Sequence, residues 1–182
     1  MKKLYLFVAC CMLPFLTMAQ GVSYNIGAGV GVGYGGVGVK ATTASETSWF
    51  GVTGGIGYSN GVPLSFGVIG EGTNNESLNS STVKGLGFSL GFVGYLDHNN
   101  HRYLGLQLVG LGNYQREERD MFGNPKYENA GYIYCVNVTL LGWRVPIGGI
   151  INLDFVLNAG IGGGAGKTAA YCGLDVGLGV KL

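Results

Sequence analysis

Residues 22–34 read VSYNIGAGVGVGY. Every even position from Val22 to Tyr34 is apolar, and every intervening odd position is Ser, Asn or Gly. A repeat of two places successive side chains on opposite faces, the signature of a strand with one face in an apolar medium. A helix would need its apolar residues three and four apart. The carboxyl end, AYCGLDVGLGVKL over residues 170–182, repeats the pattern, with Ala170, Cys172, Leu174, Val176, Leu178, Val180 and Leu182 in phase.

Between these ends the alternation recurs at Thr47 to Tyr58, Val62 to Gly70, Val83 to Leu96, Arg102 to Tyr114, Glu128 to Val145 and Ile150 to Gly162, predicting eight strands in all. The joints alternate in length. Gly35 to Glu46, Glu71 to Thr82 and Gln115 to Tyr127 are long; Ser59 to Gly61, Asp97 to His101 and Pro146 to Gly149 are short; Gly163 to Thr168 is intermediate. Asn60-Gly61 is a tight-hairpin signal.

Composition decides which way the apolar face points. Glycine supplies 36 of 182 residues and charged residues only 12%, against roughly 7% glycine and about 25% charge in ordinary soluble domains. A soluble barrel would coat its second face with Lys, Glu and Thr, but here that face is mostly Gly, Ser and Asn. Turned outward, the apolar face meets lipid, and the small residues fill the narrow interior that eight strands enclose. The expected fold is an all-β, eight-stranded antiparallel up-and-down transmembrane β-barrel, with short turns at one end and long loops at the other. Aromatics near the strand ends form two expected girdles. Tyr24, Tyr58, Tyr95, Tyr103 and Trp143 mark the short-turn end, and Tyr34, Trp49, Phe50, Tyr114, Tyr132 and Tyr134 the long-loop end.

The amino terminus reads as a cleavable secretory leader. Lys2 and Lys3 precede an apolar run from Leu4 to Leu16, and Thr17-Met18-Ala19 ends in a small residue before Gln20. Residues 1–19 are expected to be the signal peptide and 20–182 the barrel. Removal of the two leader lysines takes the formal charge from +1 to −1, which offers no basic field for nucleic acid. Cys135 and Cys172 then remain, expected on opposite faces of non-adjacent strands as small packing residues.

Two sets of residues stand out as candidate sites. Parity turns Asp154 and Asp175 into the lumen from the last two strands, near one another, with Lys181, Asn137, Asn152, Asn158 and Gln107 as the available polar partners. Two carboxylates in a narrow interior repel unless one finds a cation or a proton. Arg144 and Lys84 have outward parity near strand ends, where long side chains reach the interface. The second set is the third long loop, where Arg116, Glu117, Glu118, Arg119 and Asp120 precede an exposed Met121-Phe122 pair, a charged rim around an apolar tip suited to protein contact. Gly31, Gly33 and Gly36 fit G-x-G-x-x-G but belong to a period-two run with no helix after it. Gly166-Lys167-Thr168 lacks the first glycine of a phosphate loop. Neither motif nor any cysteine or histidine cluster points to a cofactor or a metal, and none is expected.

The leader ending in Met18-Ala19-Gln20, the eight alternating segments and the terminal amphipathic strand Leu174 to Leu182 resemble the small outer-membrane β-barrels of Gram-negative bacteria. That group includes outer membrane protein X and the opacity and attachment-invasion proteins. Many members end in an aromatic residue, where this chain has Leu182. The resemblance implies a cell outer-membrane location with both termini in the periplasm, and a role in adhesion, host-factor binding or envelope support. The expected partners are outer-membrane lipid and an extracellular protein or glycan, with no nucleic acid, and a monomer is expected. A non-enzymatic structural or surface-binding barrel is the first reading. A small pore or solute-binding barrel is the alternative, favoured by the glycine-rich lumen, provided Trp49, Tyr95, Tyr103, Trp143 and Tyr171 do not block it. A lipid-modifying enzyme, a class that also uses eight-stranded barrels, would need a base and a nucleophile within reach. His98 and His101 lie in a short turn, while Ser77, Ser80 and Ser81 lie in a loop expected at the opposite end.

Overall fold

The computed structural model of the chain describes residues 22–45, 48–60, 68–69, 83–119, 121–164 and 167–182. The expected leader, the Glu71 to Thr82 loop and Asp120 lie outside them. The strands are β1 (Val22–Gly31), β2 (Gly36–Ser45), β3 (Phe50–Asn60), β4 (Val68–Ile69), β5 (Val83–Tyr95), β6 (Arg102–Arg119), β7 (Pro125–Gly148), β8 (Ile151–Gly164) and β9 (Lys167–Lys181). All except the two-residue β4 form a closed antiparallel wall in chain order. β1 returns to β9 through pairs running from Asn25↔Lys181 to Val30↔Val176. The eight-stranded up-and-down barrel expected from the alternation is the fold.

Its faces are inside out by the standard of a soluble protein. Outward positions carry Leu90, Leu108 and Ile161, each more than 60% exposed, while Asn137, Asn158, Thr53, Asp154 and Asp175 are buried at 1% or less. Period two produces this directly, because each strand sends one set of side chains to the wall and the other to the lumen.

One wall strand differs from the expectation. The segment Gly36 to Ser45, read as a long joint, is β2, which pairs with β1 from Gly31↔Gly36 to Val22↔Ser45. Its own alternation sends Val37 and Val39 outward and Gly38, Lys40 and Thr42 inward. The strand expected at Val62 to Gly70 is represented among the described residues by Val68–Ile69, which pairs with Ala170 and Tyr171 at the edge of β9. Asn60 is not in a hairpin turn but continues β3, opposite Lys84 of β5.

The same shift reverses the run of β3. The Trp49 ring lies 4.9 Å from that of His98 at a tilt of 54°, and Phe50 pairs with Gly94, which places both aromatics at the short-turn end. Tyr58 sits at the opposite end of β3, facing outward. Tyr95 and Tyr103, expected in a girdle, are 3% exposed and point inward.

β1 also ends earlier than its alternation predicts. After Gly31, residues Val32–Tyr34 form a 3-10 turn closed by Gly35, and Val32 and Tyr34 fold into the lumen instead of facing out. Gly31 and Gly35 make this possible, with φ of 143° and 69° in the region that side chains disfavour.

Candidate functional site

The inward turn explains much of the lumenal glycine. A Cβ at Gly29 would lie 2.7 Å from Tyr34 Cζ, and one at Gly38 would lie 2.8 Å from the Tyr34 carbonyl oxygen, with the carbonyl oxygens of Val176 and Ile56 on the neighbouring strands closer still. Added Cβ atoms at Gly57, Gly87 and Gly177 would overlap the turn as well. The small residues therefore make room for the turn. Gly33 N donates to Asp175 Oδ2 at 3.0 Å, and Ser89 Oγ donates to the Gly33 carbonyl at 2.7 Å.

Toward the short-turn end lies a charged layer. Lys40 Nζ is 2.9 Å from Asp154 Oδ2, with both side chains 5% exposed or less. Tyr103 donates its hydroxyl to the same carboxylate at 2.8 Å, and Arg144 Nε stands 3.9 Å from Asp154 Oδ1. Lys40 also lies 4.5 Å over the Tyr34 ring, a cation–π contact that ties the turn to this layer. Tyr95 packs edge-on to Tyr103 at 6.1 Å and donates to the Thr43 carbonyl.

Above it is a layer of amides. Asn137 Nδ2 donates to Gln107 Oε1 at 3.0 Å and to Asn158 Oδ1 at 3.2 Å, and Tyr171 donates to Asn137 Oδ1 at 2.8 Å. Thr139 donates to Asn158 Oδ1 at 3.1 Å. Asn152 lies lower, donating to Asn25 Oδ1 at 2.7 Å.

Of the expected lumenal set, Asp154, Asp175, Asn137, Asn152 and Asn158 are all buried inside. Asp154 faces Gly177 in the β8–β9 register, so Asp175 is its diagonal neighbour. Lys181 is corrected: it is exposed at the barrel mouth, six residues from Asp175 and so about 20 Å along the strand. The cations that meet Asp154 are Lys40 and Arg144. In the sequence Lys40 lies within a stretch that reads as a joint, although Val37 and Val39 carry the outward phase of a strand. Arg144 is corrected from outward to inward, 6% exposed. A register shift in the β7–β8 pairing between Thr139 and Leu141 inserts one residue and reverses parity beyond it. The adjacent apolar pair Leu140-Leu141 was its trace in the sequence. Trp49 and Trp143 face outward; Tyr95 and Tyr103 occupy the lumen, where Tyr171 reaches Asn137.

At the other end, what was read as a long loop is mostly strand. β6 and β7 pair onward through Arg116↔Glu128 and Glu118↔Lys126 to Arg119↔Pro125. Among the described residues, β5 pairs with β6 no further than Tyr114, and β8 with β7 no further than Tyr134. The last five rungs therefore form a two-stranded ribbon that projects about 17 Å from the wall. At its tip Met121 is 98% and Phe122 86% exposed.

His98 and His101 lie together in the turn between β5 and β6, while Ser77, Ser80 and Ser81 lie outside the described residues. Cys135 is buried and Cys172 exposed, both free thiols on opposite faces as expected. Comparison of the chain with protein-family models, with curated proteins and with solved structures returns no match.

Proposed function

We propose that the chain is a non-enzymatic, surface-binding outer-membrane barrel that holds an extracellular protein or glycan at the tip of its β6–β7 ribbon. One observation carries the membrane part of this reading: the inside-out distribution of polarity. Soluble monomers seldom expose contiguous apolar patches beyond a few hundred Å², whereas here every wall strand presents an apolar outer face. A bilayer is the solvent that such a face suits, and a closed barrel leaves no backbone group for lipid to satisfy. The ribbon supports the binding part, since it lifts an apolar pair clear of the wall on a charged stem. An open-pore reading draws no support from a lumen whose centre holds Val32 and Tyr34.

Whole-cell display tests the proposal. An epitope inserted after Gly123 should be labelled by antibody on intact cells; labelling only after the outer membrane is breached would overturn the orientation. Cells displaying the chain should adhere to immobilised extracellular-matrix protein. The Met121→Ser/Phe122→Ser variant should adhere at least about tenfold less, the scale of losing one apolar anchor. Equal adherence of the two would remove the ribbon tip from the function.

A further inference from the structure

The short-turn end of the barrel holds a crevice of about 130 Å³ between the start of β1, the β5–β6 turn and the β7–β8 turn. That is room for about four waters at roughly 30 Å³ each. Arg144 lines it, its guanidinium carbon 5.3 Å over the Tyr103 ring and its polar contacts long. Lys40 and Tyr103 already occupy the Asp154 carboxylate, which leaves Arg144 Nε 3.9 Å away. Arg144 Nη1 reaches the Asn100 carbonyl only at 3.4 Å, and among the described residues Nε and Nη2, both buried, have no hydrogen-bond partner. Asn152, also buried and lining the crevice, donates its Nδ2 to Asn25 Oδ1, so Arg144 and Lys181 are the groups of the lining that offer charged donors to an anion. Lys181 stands exposed at the rim. The described lining thus holds an arginine, a lysine and several carboxamides, and no carboxylate side chain.

A buried guanidinium short of acceptors is costly, and one that borders a polar crevice can be completed by a ligand. We infer that this crevice is an oxyanion-binding site for a carboxylate or phosphate group entering from the barrel mouth. Arg144 is its charged floor, exchanging the long Asn100 contact for a charge-assisted hydrogen bond to the anion. Lys181 closes over the anion from the rim. The site is independent of the ribbon tip and of the membrane in which the barrel sits.

The experiment titrates the refolded chain in maltoside micelles with inorganic phosphate and, separately, with acetate, following the amide resonances of Asn100, His101 and Lys181. Saturable shifts are expected with at least one anion. A preference for phosphate marks a free phosphate as the ligand, and a preference for acetate a carboxylate borne on a larger molecule. Lys181→Ala should weaken binding about fivefold, and Arg144→Lys about tenfold or more, because an ammonium cannot replace the guanidinium fork. Lys84→Ala, at the far end of the barrel, should bind as the parent does. Heat-modifiable gel migration shows which variants are folded, and exposed Lys181 carries the test if Arg144→Lys does not fold. Absence of saturable shifts with both anions, or unchanged affinity in folded Lys181→Ala, would overturn the inference.

Discussion

Lys40 Nζ lies 2.9 Å from Asp154 Oδ2, bridging β2 to β8 through the middle of the lumen. Arg144 approaches the same carboxylate at 3.9 Å, so a single buried anion serves two buried cations. Removing the anion is therefore worse than removing either cation. Asp154→Asn leaves Lys40 and Arg144 facing one another and should destabilise the barrel by about 3–5 kcal/mol, the scale of an orphaned buried charge. Lys40→Met leaves Asp154 with Arg144 and the Tyr103 hydroxyl and should cost less. Urea unfolding of the chain in lipid vesicles, followed by the fluorescence of Trp49 and Trp143, measures both. Equal losses, or the opposite ranking, would show that Arg144 does not depend on Asp154.

The parts of this arrangement that could be read in advance are those where period two runs unbroken. β8 and β9 keep strict alternation, so the inward placement of Asp154, Asn158 and Asp175 followed from parity alone. Two local events broke the rule elsewhere. Gly31 carries a backbone angle that ends β1 and rolls Val32 and Tyr34 inward, although both match the apolar phase of the strand before them. In β7 one extra residue at Leu140-Leu141 turns Arg144 from the wall to the lumen. β2 was missed because Lys40 and Thr42 look like joint residues until it is known that the inward face is the polar one. The ribbon beyond Tyr114 has no simple alternation of apolar and polar residues to reveal it.

Asp97 gives a pH-dependent handle outside the wall. Partial burial would raise its carboxyl pKa, but hydrogen bonds from the His101 and Arg102 amides and from the Arg102 guanidinium outweigh it and hold the group below the usual carboxylate range. A depressed folded-state pKa means that the folded state favours the charged form. The resulting stabilisation of the turn is present above the unfolded value of about 3.9 and is lost as the pH falls through the folded value. The carboxyl carbon of Asp97, followed by NMR, should titrate with a midpoint below that unfolded value. Arg102→Ala should move the midpoint upward, though not all the way, because both amide donors remain. A midpoint unaffected by Arg102→Ala would assign the effect to the backbone alone.

The inward turn makes a sharper prediction about packing. A Cβ at Gly177 would collide with the Tyr34 hydroxyl and ring, while its next neighbour, the Ala28 carbonyl oxygen, is 3.2 Å away. Tyr34 is 1% exposed and held from below by Lys40, so it has little room to retreat. Gly177→Ala should therefore destabilise the barrel by about 1–3 kcal/mol, the usual cost of overpacking. Tyr34→Leu should be destabilising by itself, because it gives up ring packing and the contact with Lys40. If Gly177 is glycine because of Tyr34, the double variant should be more stable than the sum of the single losses by more than the ~0.5 kcal/mol scatter seen for independent sites. Unfolding midpoints of the four proteins complete the cycle. Additive losses would mean that Gly177 answers to the Ala28 backbone, and that the turn is a passenger in the lumen instead of the feature around which its glycines are arranged.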